Sequence, residues 1–203
     1  MDFNLLLENA LYFLALINPA SKIFLLSSIE PRLTGRELRA LSLRATVVAF
    51  VILCCLSTLG NYLLHDIFRV EIYSLRVAGG IVLFLIGLTA VTKGRFYERS
   101  LQHSADISIV PLGAPLIAGP GTIAASVAFS SEHGVLLAIT GFSLALILNL
   151  VLMLFSLQIG ALIEKLNATG PLIRITGLIV ATVAVQMVLT GLGEWISVVR
   201  VPM

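Results

Sequence analysis

Long runs of apolar residues alternate along the chain with short polar stretches. A helix that crosses the hydrocarbon core of a bilayer needs about 20 predominantly apolar residues. Six runs reach this length, so the pattern predicts six transmembrane helices. These runs, each bounded by charged or turn-rich residues, cover approximately 5–29, 42–64, 74–93, 108–130, 134–163 and 171–196.

The composition supports an integral membrane protein. Of the 203 residues, 58% are hydrophobic and 12% are charged, and the mean hydropathy is +1.04. Soluble domains are about 45–50% apolar and about 25% charged. No polar stretch is long enough to form a soluble domain, so we predict one all-α membrane domain over residues 1–203. The net charge of +2 gives no indication of nucleic-acid binding, and the bilayer is the expected partner.

Lysine and arginine are distributed unevenly between the two sides of the predicted bundle. Nine of them fall in the polar stretches that would share one side, whereas Arg69, Arg76 and Arg200 fall on the other. Cytoplasmic loops carry the excess of basic residues. We therefore predict a multi-pass protein of the inner cell membrane with both termini outside. The remaining basic residue, Lys22, lies within the first apolar run.

Two of the six runs contain a proline near the middle. The first carries Asn18-Pro19, and the fourth carries Gly119-Pro120-Gly121. Proline lacks a backbone donor and clashes with the preceding turn, and unpaired backbone groups are costly in hydrocarbon. A packing kink would explain one such break, but two breaks at related depths favour a binding site. We expect the first and fourth helices to be broken at the midplane.

The residues around the two breaks have the chemistry to bind a small carboxylate. A half-helix that begins at each proline would present free N–H groups and the positive end of its dipole. Glycine lets a ligand approach the backbone, and the hydroxyl and amide side chains nearby can hydrogen-bond a carboxylate. The predicted substrate-binding residues are Asn18, Pro19, Ala20, Ser21, Lys22, Gly119, Pro120, Gly121 and Thr122.

Three basic residues near the predicted helices have two interpretations each. Lys22 could extend to the interface along its apolar stem, or it could pair with a substrate carboxylate or move a proton. Arg76 and Arg174 could anchor helices at the interface or act as gates that pair with acids. No Asp or Glu lies deep inside a run, so a substrate ammonium or a sodium ion would depend on backbone carbonyls. The coupling ion, proton or sodium, stays open.

The two halves of the chain are weakly similar at an offset of about one hundred residues. Arg76 aligns with Arg174, and the prolines of the two breaks fall at matching positions. Three helices per half would give the halves opposite orientations in the membrane. We predict an inverted repeat, with repeat 1 at about 1–100 and repeat 2 at about 101–203.

Several of these motifs resemble those of one membrane protein family. They are the Asn-Pro pair, the sequence PLIAGPGTI that ends at Ile123, and the RVAGG sequence that begins at Arg76. In these features and in length the chain is similar to the MarC-like family, also described as the small neutral amino acid transporter family. The resemblance covers nearly the whole chain. It departs at Lys22, where many relatives carry small residues.

The resemblance implies transport of glycine, alanine, serine or similar molecules. The predicted function is therefore a secondary transporter with alternating access, with a small zwitterionic substrate held between the two broken helices. A channel or facilitator, an exporter of small metabolites and a non-transport membrane protein are the alternatives. The spans contain no G-x-S-x-G or H-E-x-x-H motif, so we expect neither an enzyme nor a metal or cofactor beyond a coupling ion. The oligomeric state is open.

Overall fold

The computed structural model describes residues 3–29, 32–96 and 117–200, and these ranges are helical apart from short connections. The α-helices are α1 Phe3–Ile17, α2 Pro19–Ser27, α3 Gly35–Asn61, α4 Ile72–Lys93, α5 Pro120–His133, α6 Val135–Leu154, α7 Ser156–Lys165 and α8 Thr169–Arg200. A π-helix, Tyr62–Ile67, continues α3. The first half of the predicted fourth helix, with its Pro115-Leu116 motif, lies outside the described residues.

Five helical segments of the described chain are long and apolar enough to cross a membrane. They are Asn4–Ser27, Gly35–Ile67, Ile72–Lys93, Val135–Leu154 and Thr169–Val199. Their outward faces carry large apolar side chains, such as Leu85, Ile147 and Leu178, that are more than half exposed. Apolar belts of this extent are unfavourable in water and match a lipid environment. The predicted fourth span is described only as the short helix α5.

The second span begins earlier than predicted, at Gly35 rather than near residue 42. Thr34 and Glu37 form a capping box: Thr34 Oγ1 accepts from the Glu37 N–H at 3.3 Å, and the Glu37 carboxylate accepts from the Thr34 N–H at 2.8 Å. This arrangement satisfies two free donors and allows two polar turns to form before the apolar run. Hydropathy alone misses these turns, whereas the Thr-x-x-Glu spacing indicates them.

The fifth apolar run is not one continuous helix, so its prediction as a single span was wrong in this respect. Helix α6 ends at Leu154 and α7 begins at Ser156. Phe155, with φ −95° and ψ 6°, lies between them. Neither glycine nor proline marks this interruption, so the sequence contains no local signal for it.

Helices α4 and α8 pack with their backbones nearly in contact. A Cβ atom on Gly87 would lie 2.7 Å from the backbone nitrogen of Ala181, and one on Gly80 would lie 2.9 Å from the carbonyl oxygen of Ala184. Small residues allow such close approach between membrane helices. Around this pair, α1 packs on α6, α3 packs on α5 and α6, and α2 packs on α7.

A buried asparagine and an aromatic cluster join α1 to the rest of the bundle. Asn9 is buried, and its Nδ2 donates a hydrogen bond to the Leu137 carbonyl at 3.1 Å. The Phe13 ring meets the ring of Phe142 edge-on at a centroid distance of 5.8 Å and that of Phe129 at 6.4 Å. These contacts fix the position of α1, and therefore of the break at its end.

Candidate functional site

The first break lies at Asn18, between α1 and α2. Asn18 adopts φ 52° and ψ 75°, in the left-handed region that asparagine tolerates better than most residues. Pro19 is the first residue of α2, where its missing N–H costs no helical hydrogen bond. The Ser21 hydroxyl donates to the Asn18 carbonyl at 2.7 Å, and the Ser21 N–H points to Asn18 Oδ1 at 3.4 Å. Asn18 thus partly caps the half-helix that it begins.

The second break lies before α5, which also begins with a proline at its first position. Gly119 precedes Pro120 in an extended conformation, with φ −73° and ψ 170°. No side chain caps this helix start in the described residues, so the first-turn N–H groups at Gly121 and Thr122 are not used by a cap. Uncapped N–H groups at a helix start form a site for an anion.

The two breaks share one cavity, which we call the central cavity and which has a volume of about 40 Å³. Seven of the nine predicted residues line it: Asn18, Ser21, Lys22, Gly119, Pro120, Gly121 and Thr122. Leu83 and Ile86 of α4 and Val180 of α8 are among the apolar residues of its wall. Pro19 and Ala20 are not among its lining residues.

Lys22 is directed into the bundle rather than towards the membrane interface. Its side chain is buried, with 2% of the residue exposed, and Nζ donates a hydrogen bond to the carbonyl of Ile17 across the break. Helical side chains lean towards the N-terminus of their helix, which brings this ammonium back to the end of α1. The interpretation that Lys22 reaches the interface is therefore wrong for this structure.

Gly121 is held against α4 as well as against the cavity. A Cβ atom at this position would lie 3.0 Å from Leu83 Cδ2, and Leu83 also lines the central cavity. On the neighbouring turn, a Cβ atom on Gly79 would lie 2.7 Å from the Cβ of Ala124. Helices α4 and α5 therefore approach closely beside the cavity, so a larger residue at Gly121 would disturb packing as well as ligand access.

A second cavity, which we call the vestibule, has a volume of about 260 Å³. Tyr12, Arg76, Phe129, Glu132, His133, Gln186 and Met187 are among its lining residues. The Arg76 side chain is only 12% exposed and forms ion pairs with Glu132 of α5 and Glu194 of α8. This burial and double pairing fit the gate interpretation of Arg76 better than an exposed interface anchor.

The two cavities lie at different levels of the same four helices. Helices α1, α4, α5 and α8 contribute residues to both cavities. Along α5, Thr122 of the central cavity and Glu132 of the vestibule are separated by about 15 Å at the rise of an α-helix. Ala184, between the two levels on α8, is fully buried. Along α8 the two cavities are therefore separated by buried protein at Ala184.

Comparison with known proteins identifies the family. The profile of MarC family integral membrane proteins matches residues 3–196. The chain belongs to the MarC family. The sequence-based resemblance is thus confirmed, and the chain is a multi-pass integral membrane protein.

Relatives of this MarC-family chain occur in archaea and bacteria. It is 35% identical to a UPF0056 membrane protein of Pyrococcus horikoshii, with 93% of both chains covered. It is 31% identical to the UPF0056 membrane protein YvbG of Bacillus subtilis, with 95% of this chain and 96% of YvbG covered. The UPF0056 inner membrane protein MarC of Escherichia coli O157:H7 is 29% identical, over 91% of this chain and 92% of MarC. No solved structure matches significantly.

Proposed function

We propose that this MarC-family protein is a secondary transporter of small neutral amino acids of the glycine, alanine and serine type. The observation that carries the proposal is the central cavity, in which the N-terminal ends of α2 and α5 meet. Two such ends would hold the carboxylate of a zwitterion, as the discontinuous helices of other secondary transporters do. The α1 carbonyls at the first break are acceptors for the ammonium group.

The size of the central cavity favours a small substrate. Its volume of about 40 Å³ corresponds to roughly three water molecules. The wall opposite the breaks is apolar and includes Leu83 and Val180. A substrate with a large or charged side chain would have to displace these residues and leave its polar groups unpaired, whereas a hydrogen, methyl or hydroxymethyl group requires only a modest expansion.

An inverted repeat would explain why both half-helices reach the same cavity. Two contacts support it. A Cβ atom on Gly60 would meet the Val127 side chain, and one on Gly160 would meet the Ser27 side chain. Adding one hundred to Gly60 gives Gly160, and subtracting one hundred from Val127 gives Ser27, so the repeat offset converts the first contact into the second. A two-fold axis in the membrane plane would produce this correspondence. Repeats of about 1–100 and 101–203 would then rock against each other around the cavity.

Alternating access also needs a closure on each side of the site. The ion pairs of Arg76 with Glu132 and Glu194 join α4, α5 and α8 at the vestibule, and these helices would have to separate there to admit a solute. We place the protein in the inner membrane with both termini and the vestibule outside. Closure at the vestibule would then represent a state without outward access.

The proposal is tested by ligand binding followed by transport. The purified protein in detergent should gain thermal stability with millimolar glycine, alanine or serine, since a ligand that binds the folded state raises the melting temperature. In proteoliposomes, saturable counterflow of the stabilising amino acid would support a carrier, and unsaturable flux would support a channel instead. Imposed proton and sodium gradients would identify the coupling ion. Absence of stabilisation by all three amino acids would argue against the proposal.

A further inference from the structure

We propose that Lys22 is the fixed counter-charge for the substrate carboxylate, so that the central cavity selects small carboxylates and does not require their ammonium group. This inference deepens the proposed function and rests on the central cavity being the substrate site. It extends the ligand class from zwitterions to small monocarboxylates such as propionate. The lysine, rather than the helix ends alone, would then determine affinity.

The first argument is the burial of an uncompensated charge. Lys22 is almost fully buried, and its one described hydrogen bond uses one of the three ammonium donors. No Asp or Glu among the described residues lines the central cavity. A buried charge is tolerated when an opposite charge and further hydrogen bonds accompany it. A bound carboxylate would supply both of these.

A purely structural role accounts for only part of this arrangement. Lysine near a helix C-terminus can bond the last carbonyls and interact with the negative end of the helix dipole. Nζ of Lys22 does so at Ile17. However, one peptide carbonyl is a dipole and not a counter-charge, and its attraction is small beside the cost of removing an ammonium group from water. An exposed lysine or a polar uncharged residue would cap α1 at lower cost.

The second argument is the sign of the field in the central cavity. Among the described residues no side chain caps the start of α5, so its first N–H groups add positive partial charge. The hydroxyl of Ser21 already donates to Asn18. When Lys22 is protonated, the described lining therefore presents one full positive charge and two positive helix ends. A carboxylate complements all three. A substrate ammonium would gain hydrogen bonds to carbonyl and hydroxyl acceptors but would lie in the same cavity as the positive charge of Lys22. Because repulsion between the two ammonium groups offsets these hydrogen bonds, loss of the substrate ammonium should cost little affinity.

The first experiment uses three probes of nearly equal size on the full-length protein in detergent at neutral pH. Propionate is alanine without its ammonium group, and alaninamide is alanine without its carboxylate charge. We expect propionate to bind with a Kd within about tenfold of that of alanine, a difference that corresponds to about 1.4 kcal/mol. Alaninamide should neither shift the melting temperature nor release heat in a titration.

The outcomes separate this inference from the proposed function. Binding of alanine without propionate would overturn the inference and leave the amino acid transporter intact. Binding of propionate without alanine would support the inference and contradict the amino acid proposal. Binding of neither carboxylate would overturn both. Binding of alaninamide as tight as that of alanine would show that the carboxylate charge is not recognised, and would also overturn the inference.

Variants test the lysine itself. Lys22→Met should weaken binding of propionate and alanine by roughly a hundredfold, whereas Lys165→Met, at an exposed lysine of α7, should bind as the unchanged protein does. Unchanged affinity in Lys22→Met would overturn the inference. If this variant does not fold, the three probes on the unchanged protein decide the matter.

A further pair of variants asks whether the protein itself supplies the counter-charge. Glu98 and Asp106 are the acidic residues of the 97–116 segment. Glu98→Gln and Asp106→Asn should both retain carboxylate binding. If either one abolished binding as Lys22→Met is expected to, the partner of Lys22 would be a residue of the chain rather than the substrate, and the inference would fail.

Discussion

Thr122 is the residue whose contribution to the central cavity is easiest to isolate. It is buried in the first turn of α5 and lines the cavity together with Gly121. A hydroxyl that hydrogen-bonds a charged ligand contributes about 1.5–3 kcal/mol. Thr122→Val keeps the shape of the side chain and removes the hydroxyl, so the Kd for the stabilising amino acid should rise about tenfold or more. Melting-temperature titration in detergent measures this change.

A matched control for this variant exists in α8. The Thr176 hydroxyl donates to the Leu172 carbonyl of its own helix at 2.7 Å, and Thr176 does not line the central cavity. Thr176→Val should therefore leave the Kd unchanged. Equal effects of the two substitutions would mean that the affinity loss reflects helix stability and not a contact with the ligand.

Some features of individual residues were predictable from sequence and others were not. The starts of α2 and α5 at Pro19 and Pro120 followed from a local rule, because proline at the first helical position sacrifices no hydrogen bond. The direction of Lys22 did not follow, since a long side chain on an apolar helix can reach either the interface or the interior. Only the packing around the break selects between these directions.

At the scale of helices, the contact between α4 and α8 depends on glycine. A side chain at Gly87 would collide with the backbone of α8 at Gly177 and Ala181. Overpacking of this kind typically costs about 1–3 kcal/mol. Gly87→Val should therefore lower the melting temperature in detergent by several degrees, whereas Gly193→Val in α8, where a Cβ atom has open space, should change it little. Similar losses in both variants would implicate helix propensity rather than the contact.

The helices also show where pattern reasoning fails. Hydropathy located the five spans of the described residues because each has a long apolar run. The Thr34–Glu37 capping box was a missed signal for the start of α3. The interruption at Phe155 has no such signal, because the residues around it favour a continuous apolar helix. Whether a helix stops there is decided by its tertiary contacts, which a single sequence does not display.

At the scale of the whole molecule, the orientation in the membrane determines which solution each cavity meets. Arg76, at the vestibule, lies on the side with few basic residues. The positive-inside rule predicts that this side faces outward. Alkaline phosphatase fused after Met203 should therefore be active in a bacterial host, and green fluorescent protein at the same position should be dark. If instead the green fluorescent protein fusion were fluorescent and the phosphatase fusion inactive, the orientation would be the opposite of the predicted one, and the vestibule would face the cytoplasm.

Closure of the vestibule is also a property of the whole molecule, because it involves three helices from both halves of the chain. Arg76 is nearly buried and joins α4 to acids on α5 and α8, so each pair must break before these helices can separate. Ion pairs with partly exposed acids contribute up to about 1 kcal/mol each. Loss of both pairs with the arginine should therefore shift the population towards the open state by roughly tenfold.

This shift can be measured without knowing the substrate. With Cys54 and Cys55 replaced by alanine, a single cysteine introduced by Thr122→Cys reports access to the central cavity. A membrane-impermeant thiol reagent added on the vestibule side should label it about tenfold faster when Arg76→Gln is also present. Arg174→Gln, which removes an exposed arginine aligned with Arg76, should have no such effect. Because Glu132→Gln removes only one of the two ion pairs, we expect a labelling rate between those of the unchanged protein and Arg76→Gln. If neither Arg76→Gln nor Glu132→Gln accelerates labelling, the ion pairs do not control entry.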